Sequence, residues 1–70
     1  MQHPVRITVN GDERRVPPGT SVADLLTELA LPLAAVAVEK NRRIVRREAQ
    51  RETVLEDGDA LEIVTLIGGG

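Results

Sequence analysis

Seventy residues, 41% hydrophobic and 29% charged, make one small globular domain and leave no room for a second. Cys, Phe, Tyr and Trp are all absent, so no disulfide or thiolate metal site can form, and the core must come from 21 Val, Ile and Leu residues. A net charge of −2 and the lack of stacking aromatics argue against nucleic acid as the main partner.

The N-terminus, Met1-Gln2-His3-Pro4-Val5, has neither the basic nor the apolar region of a secretory leader. No apolar run is long enough to span a bilayer. The expectation is a cytoplasmic protein with no membrane role.

Val5-Arg6-Ile7-Thr8-Val9 alternates strictly, which places Val5, Ile7 and Val9 on one face of a strand. Asn10-Gly11 follows, two residues that tolerate the positive φ of a tight hairpin turn. Asp12 to Val16 returns as a short polar edge strand, whose charges discourage pairing with other chains, and Pro17-Pro18-Gly19 closes the hairpin. Ser21 is suited to cap a helix, with Asp24 at the third position of a capping box. Val22, Leu25, Leu26 and Leu29 then form one apolar stripe, and Leu31-Pro32 ends the helix, predicted over residues 22–30. Val36-Ala37-Val38 begins a third strand running to Lys40. Asn41-Arg42-Arg43 turns toward a short strand at Ile44-Val45, and residues 46–53 are polar without a regular pattern. Glu56-Asp57-Gly58-Asp59 is a turn, and residues 61–67 form the last and most apolar strand.

This order predicts an α+β fold. The last strand lies centrally, parallel to the first through a right-handed crossover that contains the helix, and the helix covers one face of a mixed sheet. The domain occupies residues 1–67, and residues 68–70 form a flexible glycine tail. If Leu61, Ile63 and Thr65 face the helix, Val64 and Leu66 face away, and we read these two as partner-binding residues.

Few residues can carry catalysis. A single histidine, His3, builds neither a triad nor a metal site, and Ser21 is better explained as a cap than as a nucleophile. The Asp57-Gly58-Asp59 segment lacks the ligand alternation and distal Glu of a calcium loop, so no metal is expected. Arginines 42, 43, 46, 47 and 51 read as a solvated polar face, with an anion patch as the alternative.

Gly68-Gly69-Gly70 is neither followed by Lys-Ser/Thr nor at a helix start, as a phosphate loop would be. One reading is a featureless extension. The other is a side-chain-free peptide reaching about 10 Å, whose terminal carboxylate enters a narrow active site on another protein. A carboxylate is a poor electrophile, and ATP-dependent acyl-adenylate formation would activate it. If sulfur then displaces AMP, Gly70 carries a thiocarboxylate, chemistry that needs no cysteine on the carrier.

Several segments resemble the ThiS family of sulfur carriers. They are Val9-Asn10-Gly11, Ser21-Val22-Ala23-Asp24-Leu25-Leu26, Val36-Ala37-Val38-Glu39, Thr53-Val54-Leu55-Glu56-Asp57-Gly58-Asp59 ahead of Glu62-Ile63-Val64, and the terminal Gly69-Gly70. The second turn, Asn41-Arg42, departs from the Asn-Gly common in the family. The resemblance implies a ubiquitin-like β-grasp fold and a protein that is a co-substrate rather than an enzyme. It implies adenylation of Gly70 by an E1-like adenylyltransferase of ThiF type, which uses ATP while the carrier itself binds no cofactor. Sulfur would come from a cysteine desulfurase or another donor and pass to a thiazole synthase of ThiG type. The alternatives are the small subunit of molybdopterin synthase and a ubiquitin-like modifier or interaction module.

Overall fold

A computed structural model describes residues 3–32 and 35–66. In chain order these form β1 (Val5–Val9), β2 (Asp12–Val16), α1 (Val22–Glu28), β3 (Val36–Lys40), β4 (Arg43–Ile44) and β5 (Ala60–Thr65), with a 3₁₀ turn at Arg47–Ala49. The five strands make one sheet in the order β2-β1-β5-β3-β4. β5 runs parallel to β1 and antiparallel to β3, so the last strand is central, as its apolar composition predicts.

Alternation along each strand sends one set of side chains to a common core. Ile7, Val16, Val36, Val38, Leu61 and Ile63 from the sheet pack with Val22, Leu25 and Leu26 from α1, and Val5 and Val9 flank them. The helix therefore covers one face only. Thr65 differs from expectation: it is exposed, whereas Leu61 and Ile63 are buried. Pairing of β5 with β1 ends at Val9↔Leu61, so Thr65 has a neighbouring strand on the β3 side only.

Both hairpins close through two-residue turns with positive φ at each position, which matches the twist of the flanking strands. Asn10 and Gly11 have φ of 50° and 88°, and Asn41 and Arg42 have 54° and 70°. The second turn keeps this geometry although Arg42 lacks the freedom of glycine. Its two-residue length sets Arg43 opposite Lys40, so β4 occupies Arg43–Ile44 rather than residues 44–45.

The helix begins as predicted, with reciprocal bonds between Ser21 and Asp24: the Asp24 N–H donates to Ser21 Oγ (3.0 Å) and the Ser21 N–H to Asp24 Oδ2 (3.1 Å). The irregular segment over residues 46–53 satisfies the groups left over. The Val22 N–H donates to the Thr53 carbonyl (2.9 Å) and the Ala23 N–H to that of Gln50 (3.1 Å), so the first turn of the helix has no orphan donor. At its other end the helix stops at Glu28, two residues short of prediction. Ala30 takes φ 59°, the Ala30 N–H donates to Thr27 O (3.0 Å) and the Leu31 N–H to Leu26 O (2.9 Å). That pair of bonds is a Schellman cap with alanine where glycine is usual.

Candidate functional site

The chain leaves the sheet along β5, so the surroundings of that strand define the site. Strand β5 ends at Thr65 rather than at residue 67, and the Leu66 N–H then donates to the Ala35 carbonyl (2.6 Å). The predicted tail, Gly68, Gly69 and Gly70, lies outside the described residues, as does Ile67.

The two sides of β5 are supported differently. On the β3 side pairing runs from Leu61 to Thr65. On the β1 side only Thr8↔Ala60 and Val9↔Leu61 are paired, because β1 turns away at Asn10. Asn10 takes over there. Its N–H donates to Leu61 O (2.8 Å), its Oδ1 accepts from the Ile63 N–H (2.8 Å), and its Nδ2 donates to Ile63 O (3.1 Å). The side-chain amide thus occupies the ladder as a peptide group would, one step beyond the end of β1.

Asn41 performs the matching task at the start of β5. Its N–H donates to Ala60 O (2.8 Å), its Oδ1 accepts from the Ala60 N–H (2.9 Å), and its Nδ2 donates to Asp59 Oδ1 (2.9 Å). Two turn asparagines therefore hold β5, Asn41 at Ala60 and Asn10 at Leu61 and Ile63. Sequence reading accounts for their positive φ but not for these bonds, which join residues far apart in the chain.

The Asp57-Gly58-Asp59 turn is held by its own carboxylates. Asp57 Oδ1 accepts from the Arg6 N–H (2.7 Å), and buried Asp59 accepts from the Glu56 N–H through Oδ2 (2.8 Å) with Lys40 Nζ at 3.7 Å. These oxygens anchor the turn to β1 and to the β3–β4 hairpin. Among the described residues no three His, Asp or Glu side chains converge on a point that could hold a metal ion.

The face of the sheet opposite the helix is open. Val64 is 58% exposed and Leu66 61%, in agreement with the predicted outward orientation of both. Ile44 joins them at 74% exposure, a residue that sequence reading did not single out. The signal was available: the two-residue turn puts Ile44 opposite Glu39, and hence on the outer face. Glu39 and Glu62 lie directly opposite one another across β3 and β5, two like charges on the same open surface. At the far edge Glu13 pairs with Arg6 (3.4 Å) and Arg15 (3.7 Å), exposed contacts of little energetic weight.

The remaining candidates have structural or solvated roles. His3 is exposed, and Ser21 is engaged in its cap. Arginines 42, 43, 46, 47 and 51 are all exposed, and none forms an ion pair among the described residues. A shallow groove of about 700 Å³ beside β4 is lined by Lys40, Arg43, Ile44, Arg46 and Glu48, with no nucleophile–base pair in it. Among the described residues no helix is long and apolar enough to cross a membrane.

The profile of the ThiS family matches residues 6–70, nearly the whole chain. The chain belongs to the ThiS family. Sulfur carrier protein ThiS of Bacillus subtilis is 40% identical over 50 residues, which cover 71% of this chain and 76% of that one. A crystal structure of the thiamine biosynthesis protein ThiS from Geobacter metallireducens superposes with a TM-score of 0.78 at 38% identity, over 94% of this chain and all of that one. Caldiarchaeum subterraneum ubiquitin, at 19% identity and a TM-score of 0.54, shares the fold, covering both chains in full. The ThiS domain described here is thus a ubiquitin-like β-grasp, as its sequence implies.

A ThiS-like region also occurs within larger proteins. The thiazole synthase of Paramagnetospirillum magneticum is 41% identical over 66 residues, 94% of this chain but 20% of that protein. The chain spans about a fifth of the length of such relatives.

Proposed function

We propose that this ThiS-family chain is a sulfur carrier of thiamine biosynthesis whose working group is the carboxylate of Gly70. The observation that carries the reading is the family match, which runs through Gly69 and Gly70 to the last residue. The fold supports it, because the central strand leads directly to that segment and the open face beside it presents Val64, Leu66 and Ile44.

An α-carboxyl group with a pKa of about 3.5 is ionised at neutral pH and resists nucleophilic attack. An adenylyltransferase of ThiF type attaches AMP from ATP to the Gly70 carboxylate and releases pyrophosphate. A sulfide-level nucleophile then displaces AMP and leaves a thiocarboxylate. Where a cysteine desulfurase supplies the sulfur as a persulfide, displacement of AMP gives an acyl disulfide, and a second thiol cleaves its S–S bond to release the thiocarboxylate and form a disulfide. Glycines at 68–70 suit this use: without Cβ atoms they permit close backbone approach and leave the carbonyl carbon unhindered.

Delivery is to a thiazole synthase of ThiG type. Its support is the ThiS-like region within thiazole synthase sequences. The carrier is a co-substrate and contributes no catalytic side chain.

The test is intact-protein mass after incubation with the adenylyltransferase, ATP and a sulfur source. The natural chain gains the increment of one oxygen replaced by sulfur. A chain lacking Gly70 does not, although it folds as before. Sulfur loading of the shortened chain refutes the assignment.

A further inference from the structure

We propose that Asn10 is a positioning residue for the chemistry at Gly70, an inference that rests on the sulfur-carrier reading. Among the described residues, Asn10 is the group that supports β5 beyond Leu61 on the β1 side. Ladder pairing there ends at Val9↔Leu61, and the Asn10 amide alone bonds both the N–H and the carbonyl of Ile63.

Alternation along the strand gives this amide its effect. Val64 faces Ala37 in the β3 ladder and Leu66 bonds Ala35, whereas the backbone of Ile63 points the opposite way, to Asn10. With Asn10 in place β5 is held from both sides up to Ile63. Without it, residues 62–66 hang from β3 alone and can swing about that single ladder. A reacting atom misplaced by about 1 Å can cost about a hundredfold in rate, so the hold on the strand that leads to Gly70 matters.

A turn residue and a positioning residue are separable by substitution. Asn10→Gly accepts the φ of 50° without strain, so the hairpin survives while the surrogate peptide is lost. Asn10→Asp is nearly isosteric: it still accepts from the Ile63 N–H but faces the Ile63 carbonyl with an oxygen instead of a donor. Asn41→Gly is the matched control. It too removes two side-chain hydrogen bonds from a turn of the same type, but at the start of β5, away from the exit.

The experiment measures steady-state adenylation and sulfur loading of the full chain, with backbone amide exchange recorded on the same samples. Asn10→Gly should lower kcat about tenfold with KM within about twofold of the natural chain, since docking is intact but the carboxylate is badly presented. Amide exchange at Ile63 should accelerate, and Asn10→Asp should fall between. Asn41→Gly should lose comparable thermal stability and keep its kcat. Equal kcat values for Asn10→Gly and Asn41→Gly overturn the proposal, as does a kcat for Asn10→Asp equal to that of the natural chain. A natural chain that loads no sulfur refutes the carrier reading itself and this role with it.

Discussion

Ile63 and Val64 are neighbours in β5 with opposite surroundings, and substituting each in turn tests the assignment of the two sheet faces. Ile63 is 8% exposed within the core cluster, whereas Val64 stands on the open face. Truncating Ile63 to alanine removes three carbons from a packed site, at about 2–5 kcal/mol. A domain of this size has about 3.5–10 kcal/mol in total. The loss is therefore at least a fifth of its stability and lowers Tm by about 8 °C or more. Val64→Arg should change stability by no more than about 0.5 kcal/mol, because the new side chain extends into solvent. If Val64 docks on the adenylyltransferase, the substitution should place a charge in a desolvated contact and cost about 2 kcal/mol or more, a weakening of about thirtyfold. Far-UV circular dichroism is the suitable stability readout, since no aromatic residue provides a tertiary signal. Titration calorimetry with the adenylyltransferase gives the affinity. Unfolding of Val64→Arg, or binding equal to that of the natural chain, refutes the placement of the docking face.

The positive-φ residues supply further tests. Arg42→Gly should stabilise the domain by about 0.5–1 kcal/mol, because a φ of 70° strains an arginine but not a glycine. Ala30→Gly should act likewise at the helix C-terminus, and a Tm below that of the natural chain in either case contradicts the turn geometry described. Ser21→Ala should cost about 1 kcal/mol through loss of the reciprocal cap with Asp24, measured by urea denaturation; an unchanged midpoint would remove the capping argument.

Legibility in the sequence followed the range of the interactions. The alternation of Val5, Ile7 and Val9, the Asn10-Gly11 turn, the Ser21–Asp24 box and the stripe from Val22 to Leu29 are local patterns, and each predicted an element that the structure contains. The central place of β5 followed from its apolar composition. Interactions between distant segments left no such trace. The bonds from Thr53 and Gln50 to the start of the helix gave residues 46–53 a purpose that their polar pattern concealed. The positive φ of Ala30 was hidden because alanine is ordinarily a helix former, so the helix was read two residues too long. At the candidate site the outward orientation of Val64 and Leu66 was readable from alternation alone. Ile44 was missed because its face depends on hairpin register, and Asn10 was read as a turn former because its partner Ile63 is 53 positions away.

That separation also shapes how the chain reaches its native state. Closing a loop of 53 residues costs about 3.5 kcal/mol in chain entropy before any contact repays it. The β1–β2 hairpin, joined by two residues, can form within microseconds. Strand β5 has no such local partner and pairs with β1 and β3 only across long separations in the chain, so its pairing should belong to the rate-limiting step of folding. Substitutions in β5 should accordingly slow folding more than they speed unfolding. The strand that leads to Gly70 thus depends on long-range closure to find its neighbours. A partner that grips β5 in its native register is selecting chains that have already finished folding.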